Sequence, residues 1–417
     1  MVDWKKIRND FPTLQRKIDG KKIIYFDSAC MALKPQQVID SIMYYYSNLG
    51  ACGGRSIHSL AQETSELRTD ARRKIKNHIN AKNTSEIIWV RNTTEAVNLI
   101  ANALPFEEGD EIISTNLEHH SGILPFHRLI KKKGVQLKIV EADKEGLFDI
   151  EDFEETITDK TRLISIVHCS NVSGTIAPLN EIVKIAHDHN ALVFSDDAQY
   201  FPHKKMDVQK SDVDFSGVSV HKAMGPTGIG FLYAKQHLLE EMDSFLVGGS
   251  TIKDVRYEKG EIFPEYLPPP QKFEAGLMNY AGEIGAGAAI DYLNSIGMEN
   301  IEKYEQQLIT KLFKVLEPIN GLRIIGPTEP SLKSGLVSFR LKNAETATDI
   351  AHFLDSDVEE AKIMIRSGAH CVNPFHYYLG IKPSEGTARA SLYIYNNEEE
   401  ISLLGEKLQE LEGIISS

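Results

Sequence analysis

The stretch Asp214-Phe215-Ser216-Gly217-Val218-Ser219-Val220-His221-Lys222-Ala223-Met224-Gly225-Pro226-Thr227-Gly228-Ile229-Gly230 runs from an apolar segment through a Ser-x-His-Lys cluster into a Gly/Pro turn. Upstream lies a second apolar segment with an acidic tip, Leu192-Val193-Phe194-Ser195-Asp196-Asp197-Ala198-Gln199. A lysine amine that forms a Schiff base and a strand-end carboxylate that keeps a pyridine nitrogen protonated are what pyridoxal 5'-phosphate chemistry asks of a protein. The two strings read as such a site. Lys222 as one surface lysine among many would not explain the cluster, the turn and the acid together.

Around these strings, short β-rich runs alternate with helical ones from about residue 86 to 234. The runs fall at 86–90, 111–115, 136–140, 163–167, 191–195, 215–220 and 230–233, with helices expected at 94–103 and 179–189. This alternation predicts an α/β fold with a mostly parallel seven-stranded sheet and crossover helices. In such sheets ligands bind beyond the carboxyl ends of the strands, where the motifs fall. Residues 34–49 and 60–80 read as helices before the sheet, and Tyr44-Tyr45-Tyr46 in the first reads as packing. A Pro-rich passage, Tyr266-Leu267-Pro268-Pro269-Pro270, reads as an ordered loop. A long helix begins near Gly282. Helical 300–316, strand-like 334–341 and helical 398–411 suggest a smaller α+β domain. The expected division is 21–285 for the large domain, with 1–20 and 286–417 forming the small one.

Composition narrows the function. The 417 residues carry 46 Lys plus Arg against 59 Asp plus Glu, a net charge of −13, which disfavours nucleic acid or an anionic membrane as the partner. No segment approaches the roughly 20 apolar residues of a membrane span, and the N-terminus lacks a signal peptide's apolar stretch. A cytoplasmic location is expected. The four cysteines, Cys30, Cys52, Cys169 and Cys371, show neither disulfide nor metal spacing, so no metal is expected.

Further candidates lie at other strand ends. Thr93 or Thr94 opens a helix after the 86–90 run, so its hydroxyl and backbone N–H groups could cradle a phosphate, or simply cap the helix. Ser219 and His221 could add donors. His119 and His120 follow the 111–115 run, and one imidazole there could stack on a cofactor ring and move a proton. Asn171 could bond substrate or cofactor. Cys371, in Ile365-Arg366-Ser367-Gly368-Ala369-His370-Cys371-Val372-Asn373-Pro374, sits in a Gly- and Pro-bounded loop with cationic neighbours, a setting for a nucleophilic thiol. Arg389 could clamp a carboxylate bidentately.

Over nearly its full length the chain resembles class V, fold-type I pyridoxal phosphate enzymes, and within them the SufS-like cysteine desulfurases. The resemblance rests on Tyr25-Phe26-Asp27-Ser28-Ala29, Arg55-Ser56-Ile57-His58-Ser59-Leu60-Ala61, Arg91-Asn92-Thr93-Thr94-Glu95-Ala96-Val97-Asn98-Leu99, Glu118-His119-His120, Ser170-Asn171-Val172, the two strings above, Phe273-Glu274-Ala275-Gly276 and the Arg366 to Cys371 loop. It implies a fold-type I transferase in which Lys222 is the Schiff-base lysine, Asp196 the pyridinium partner, Gln199 a donor to the phenolic oxygen and His119 the stacking residue. Thr94, Ser219 and His221 would hold the phosphate. Asn171 and Arg389 would hold the substrate carboxylate, and Arg366 would border the loop. Cys371 would take sulfur from L-cysteine as a persulfide and release alanine. A homodimer and a sulfur-acceptor or scaffold protein for iron–sulfur clusters are implied as partners. Alternatives on the same fold are a C–S lyase, a selenocysteine lyase, an epimerase or an aminotransferase with Cys371 incidental. A non-catalytic scaffold is a further one. The chain departs from the family pattern at Asp197, at Cys52-Gly53-Gly54 before Arg55, and at Leu277, where a threonine would reach the phosphate of the neighbouring subunit. Ser250 and Thr251 are candidates to replace that threonine.

Overall fold

The computed structural model describes residues 2–54 and 56–416; Arg55, quoted in the resemblance, lies outside the described residues. The seven expected strands form one sheet in the order Ile87–Val90, Gly230–Ala234, Phe215–Ser219, Leu192–Asp196, Thr161–Val167, Glu111–Thr115, Gln136–Val140. Neighbours are parallel except along Gly230–Ala234, which runs antiparallel to both of its partners. Alternation along each strand sends side chains to opposite faces. Ile87 and Trp89 join one core with Ile113, Ile164, Val193 and the helix Leu179–Asp188. Ile88 and Val90 join another with Ile112, Leu163, Phe194 and the helices Thr93–Ala103 and His120–Lys133. Both faces are therefore covered, as parallel sheets require.

Helix Tyr280–Ile296 is buried nearly all round and packs on helices Ser59–His78 and Gln36–Tyr44. The expected helix to residue 49 ends earlier as a regular α-helix, because its last turn, Tyr45–Leu49, widens into a π-turn closed by Gly50 in the left-handed region. Of the three tyrosines, Tyr45 is buried and packs against Tyr280 and Tyr46, while Tyr44 and Tyr46 are exposed.

The C-terminal part is a four-stranded antiparallel sheet, Leu322–Ile325, Leu336–Leu341, Thr387–Ser391 and Arg366–Gly368, covered by helices Met298–Leu316 and Glu398–Ser416. A second small sheet pairs Lys21–Tyr25 with Ala361–Met364 in parallel. Ile24 and Phe26 lie in the same core as Leu308, Phe339 and Ile363. The strand beginning at residue 21 therefore packs with the C-terminal elements, across the division expected there.

A hairpin after the large sheet also had no counterpart in the sequence reading. Strands Ile252–Glu258 and Glu261–Tyr266 form an antiparallel hairpin, exposed along almost its whole length, and Tyr266 ends it rather than opening a loop.

The site depends on close packing at Gly217. A Cβ there would lie 2.9 Å from Phe194, 3.0 Å from Thr93 and 3.2 Å from Ala96, so this glycine lets helix Thr93–Ala103 lie directly on the strand. Gly217→Val is expected to destabilise the fold by ~1–3 kcal/mol as an overpacked core, and to weaken cofactor binding by pushing Thr93 outward. Urea unfolding and cofactor titration check this; wild-type values in both would show that the helix yields freely.

Candidate active site

Most residues singled out as site candidates border one cavity of about 290 Å³ at the carboxyl ends of the parallel strands, whereas His120, Ser250 and Thr251 do not. Lys222, Asp196, Gln199, His119, Asn171, Thr93, Thr94, Ser219, His221, Arg366, Cys371 and Arg389 all line it. Most come from separate strand ends, because a parallel sheet delivers each carboxyl end to the same edge, while Arg366, Cys371 and Arg389 reach the cavity from the C-terminal antiparallel sheet and the loop that follows its strand Arg366–Gly368.

Lys222 closes the short 3-10 turn Val220–Lys222 after strand Phe215–Ser219. Burial lowers its pKa and the nearby Asp196 opposes that shift. Asp196 ends its own strand. Burial pushes its carboxyl up to about 6, while Lys222 and the Ala198 N–H, 3.0 Å from Oδ1, hold it down. It stays largely ionised at neutral pH. Asp197 points elsewhere: one carboxylate oxygen lies 2.5 Å from His168 Nδ1, and the other accepts from Ser216. His168 in turn stacks on Tyr200 with ring centroids 3.6 Å apart. The second carboxylate is thus tied into the wall of a neighbouring cavity, although its charge still contributes to raising the pKa of Asp196.

At the helix N-terminus, Ser219 Oγ accepts from the Thr93 N–H at 2.9 Å and meets Thr93 Oγ1 at 2.8 Å. Thr93 is buried and Thr94 exposed, and Thr94 Oγ1 lies 2.7 Å from Ser121 Oγ. Asn92 caps the helix through the Glu95 N–H. The two histidines divide their work. His119 lines the cavity, with Nδ1 3.0 Å from Ser121 Oγ, and burial lowers its pKa to about 4. His120 holds the cysteine loop instead: its N–H donates to Cys371 O at 2.8 Å, and its Nε2 accepts from the Asn373 N–H at 3.3 Å. Burial also lowers His221 to about 4, so His119 and His221 are neutral at pH 7.

Cys371 is exposed at the mouth, and both it and His370 have positive φ, 61° and 50°. Two successive non-glycine residues in the left-handed region are costly and need support from their surroundings. Asn171 Nδ2 donates to His370 O at 2.8 Å, and His120 fixes the next carbonyl. Arg389 is buried: Nη1 donates to Asn171 O at 2.9 Å, Nη2 reaches Asp27 at 3.2 Å, and Nε has no partner. Its guanidinium fork is therefore partly committed already. Arg366 pairs with Arg389 across adjacent strands and lies 3.7 Å from the other Asp27 oxygen.

Some site residues were missed from sequence. Ser121 links Thr94 to His119, Cys30 borders the cavity, and Glu118 lies beneath it. Each adjoins a motif that was quoted, but its use depends on contacts distant in sequence. Glu118 is fully buried, accepts from the Val167 N–H and Thr115 Oγ1 at 2.8 Å each, and has no partner for Oε2.

Pyridoxal phosphate fits this arrangement. Gln199 Oε1, Asn171 Oδ1 and Arg389 Nε are buried without partners at the cavity wall, and such groups call for a polar ligand. A helix N-terminus with clustered hydroxyls suits a phosphate. An ionised carboxylate and a lysine of lowered pKa complete the requirements of the ring. Fold and cavity together define a fold-type I pyridoxal phosphate enzyme.

Comparisons agree. The aminotransferase class-V family model matches residues 24–404. A probable cysteine desulfurase of Synechocystis is 40% identical over 410 residues, covering 97% of this chain and 94% of that protein. A cysteine desulfurase of Escherichia coli is 38% identical over 413 residues, covering 98% of each. The solved structure of a cysteine desulfurase from Thermococcus onnurineus superposes with a TM-score of 0.92 at 35% identity, covering 99% of both chains. The chain belongs to the aminotransferase class-V family.

The pKa of Glu118 carries a pH signature. Burial raises it to about 8, with the Val167 and Thr115 bonds opposing. A carboxyl whose pKa is raised on folding contributes stability that is present below its unfolded pKa and lost as pH rises through the folded value. Wild type should therefore lose stability progressively from about pH 4.5 to pH 8 on account of this group. Glu118→Gln, which keeps the accepting oxygen, should match wild type near pH 5 and melt at a higher temperature than wild type at pH 9. Parallel melting curves across that range would show that Glu118 is not held neutral.

Proposed function

We propose that this class-V enzyme, a pyridoxal phosphate-dependent cysteine desulfurase, converts L-cysteine to L-alanine and leaves the sulfur on Cys371 as a persulfide. The observation that carries the reading is a cavity bounded at once by the Lys222 and Asp196 pair, a buried arginine and an exposed cysteine.

When bound, the cofactor supplies an electron sink for carbanion character at the substrate Cα. The protein's groups would act around it. Lys222 would hold the cofactor covalently and, with a lowered pKa, would move a proton at Cα. Asp196 would keep the ring nitrogen protonated. Gln199 would bond the phenolic oxygen, and neutral His119 would stack on the ring. Thr93, Thr94, Ser219 and His221 would hold the phosphate. Arg389 and Asn171 orient the substrate carboxylate, and Arg366 borders the loop. Cys371 sulfur attacks the substrate sulfur. The new S–S bond forms as the substrate C–S bond breaks, its electron pair passes to the substrate carbon, and protonation there gives alanine.

The dimer and the acceptor belong to the same proposal. The hairpin presents Val255, Tyr257, Ile262, Phe263 and Tyr266 to solvent, next to exposed Leu246, Val247 and Leu277, and such an apolar arm suits a second copy of the chain. Thr251 is not a spare phosphate donor, since its hydroxyl bonds Gly248 O at 2.8 Å within a turn. Ser250, exposed beside Leu277 in a cavity with Arg68 and Arg72, remains the candidate. An exposed Cys371 suits delivery of sulfur to an acceptor or scaffold protein for iron–sulfur clusters. Among the described residues no helix is long and apolar enough to cross a membrane. The four unpaired cysteines suit a reducing cytoplasm.

Incubation with L-cysteine should yield alanine and a persulfide on the Cys371 peptide. Cys371→Ser should keep cofactor absorbance and yield neither. Pyruvate and ammonia would indicate a C–S lyase, and a keto-acid requirement an aminotransferase. Arg389→Ala should raise KM roughly ten- to a hundredfold, the equivalent of one charge-assisted hydrogen bond of ~1.5–3 kcal/mol. It should also lower thermal stability, because Asp27 loses its buried partner; Arg389→Lys should recover part of both. An unchanged KM in Arg389→Ala would place the carboxylate elsewhere. Phe263→Asp with Tyr257→Asp should convert a dimer to a monomer by light scattering, and an unaltered mass would remove the hairpin from the interface.

A further inference from the structure

Three of the four cysteines border the active-site cavity: Cys371 at the mouth, Cys30 deeper and half-buried, and Cys169 fully buried. Cys169 is inert, because burial pushes its thiol up to about 11 and its sulfur bonds Gly174 O. Cys30 differs. Arg366 Nη1 donates to its sulfur at 3.5 Å. Its backbone is fixed, with the Cys30 N–H donating to Asp27 O and the Ala29 N–H to Ser391 Oγ, each near 3 Å. Arg366 opens the strand Arg366–Gly368 that leads into the Cys371 loop, and Arg366, Cys30 and Cys371 line the same cavity. Asn171 and Gln199, buried with unpartnered oxygens, line the same space.

We propose that Cys30 is a second sulfur carrier, which takes the outer sulfur from the Cys371 persulfide inside the active-site cavity. The proposal rests on the desulfurase reading above. Cys30 sulfur attacks the outer sulfur of the Cys371 persulfide. A Cys30–sulfur bond forms, the Cys371 S–S bond breaks, and the Cys371 thiol leaves with the proton that Cys30 gave up. No oxidant or reductant is needed, since one persulfide replaces another. Arg366 already donates to the Cys30 sulfur and would meet the negative charge of the new persulfide. The consequence is storage: with the sulfur moved inward, Cys371 is free to accept again before any acceptor protein arrives.

The test uses wild-type holoenzyme with excess L-cysteine and no acceptor or reductant, quenched in acid at a series of times. Alanine is counted and the cysteine peptides are weighed. The expected result is an extra sulfur first on the Cys371 peptide and then on the Cys30 peptide, with an alanine burst one equivalent larger than in Cys30→Ser or Cys30→Ala. In those variants the sulfur should stop on Cys371. Alanine and a Cys371 persulfide with no sulfur on Cys30 would overturn the relay and leave the desulfurase reading standing. Sulfur appearing on Cys30 equally fast in Cys371→Ser, or a Cys30–Cys371 disulfide with release of hydrosulfide, would also overturn it. Absence of both alanine and persulfide would remove the relay together with the desulfurase reading.

Discussion

A carboxylate and an amine brought together by burial in one cavity, Asp196 and Lys222, are the constraint to which the rest of the structure answers. Either group alone would neutralise when buried, since desolvation raises an acid and lowers an amine. Here each limits the other's shift, so the acid remains ionised near neutrality and the amine is brought towards a reactive form. Holding them opposed requires two adjacent parallel strands, Leu192–Asp196 and Phe215–Ser219, in fixed register, with Asp196 beside Gly217. Helix Thr93–Ala103 packs closely over that same Gly217, where a Cβ would lie 3.0 Å from Thr93 and 3.2 Å from Ala96. The proposed phosphate cradle, ring partner and lysine thus meet around one packing contact.

The second support is the chain of bonds beneath the cysteine loop. Asp27 faces both Arg389 and Arg366, Arg389 holds the Asn171 carbonyl, and the Asn171 amide holds the His370 carbonyl. A side chain on the N-terminal strand's exit therefore positions the backbone next to Cys371, hundreds of residues away. The left-handed residues His370 and Cys371 are affordable only within such a scaffold. It explains how Cys371 can be exposed and still have its backbone fixed.

Much of this was legible in the sequence because its signals are local. All seven sheet strands were expected within a few residues, since β-rich runs alternate regularly with helices. Most of the site residues fall at ends of the parallel strands, where the α/β rule places ligands, while Arg366, Cys371 and Arg389 come from the C-terminal sheet and its loop. What escaped depends on distance. The strand Lys21–Tyr25 pairs with Ala361–Met364, hundreds of residues on, and no local pattern pointed to that partner. The hairpin Ile252–Tyr266 mixes charged and apolar residues without a core-facing side, so periodicity had nothing to register. Asp197 looked like a second charge in the pocket, and only the contacts with His168 and Ser216 show it turned away. The division between His119 and His120 likewise required the loop that His120 anchors.

The central claim is that Lys222, opposed by Asp196, is the lysine that holds the cofactor. The structure offers rivals, because burial also lowers the pKa of Lys333 to about 7 and of Lys34 to about 8. Borohydride reduction of the holoenzyme, followed by peptide mass mapping, distinguishes them directly. The account predicts a single reduced cofactor adduct on the peptide containing Lys222, and none on Lys333 or Lys34. An adduct on either of those lysines, or no covalent adduct at all, would contradict it.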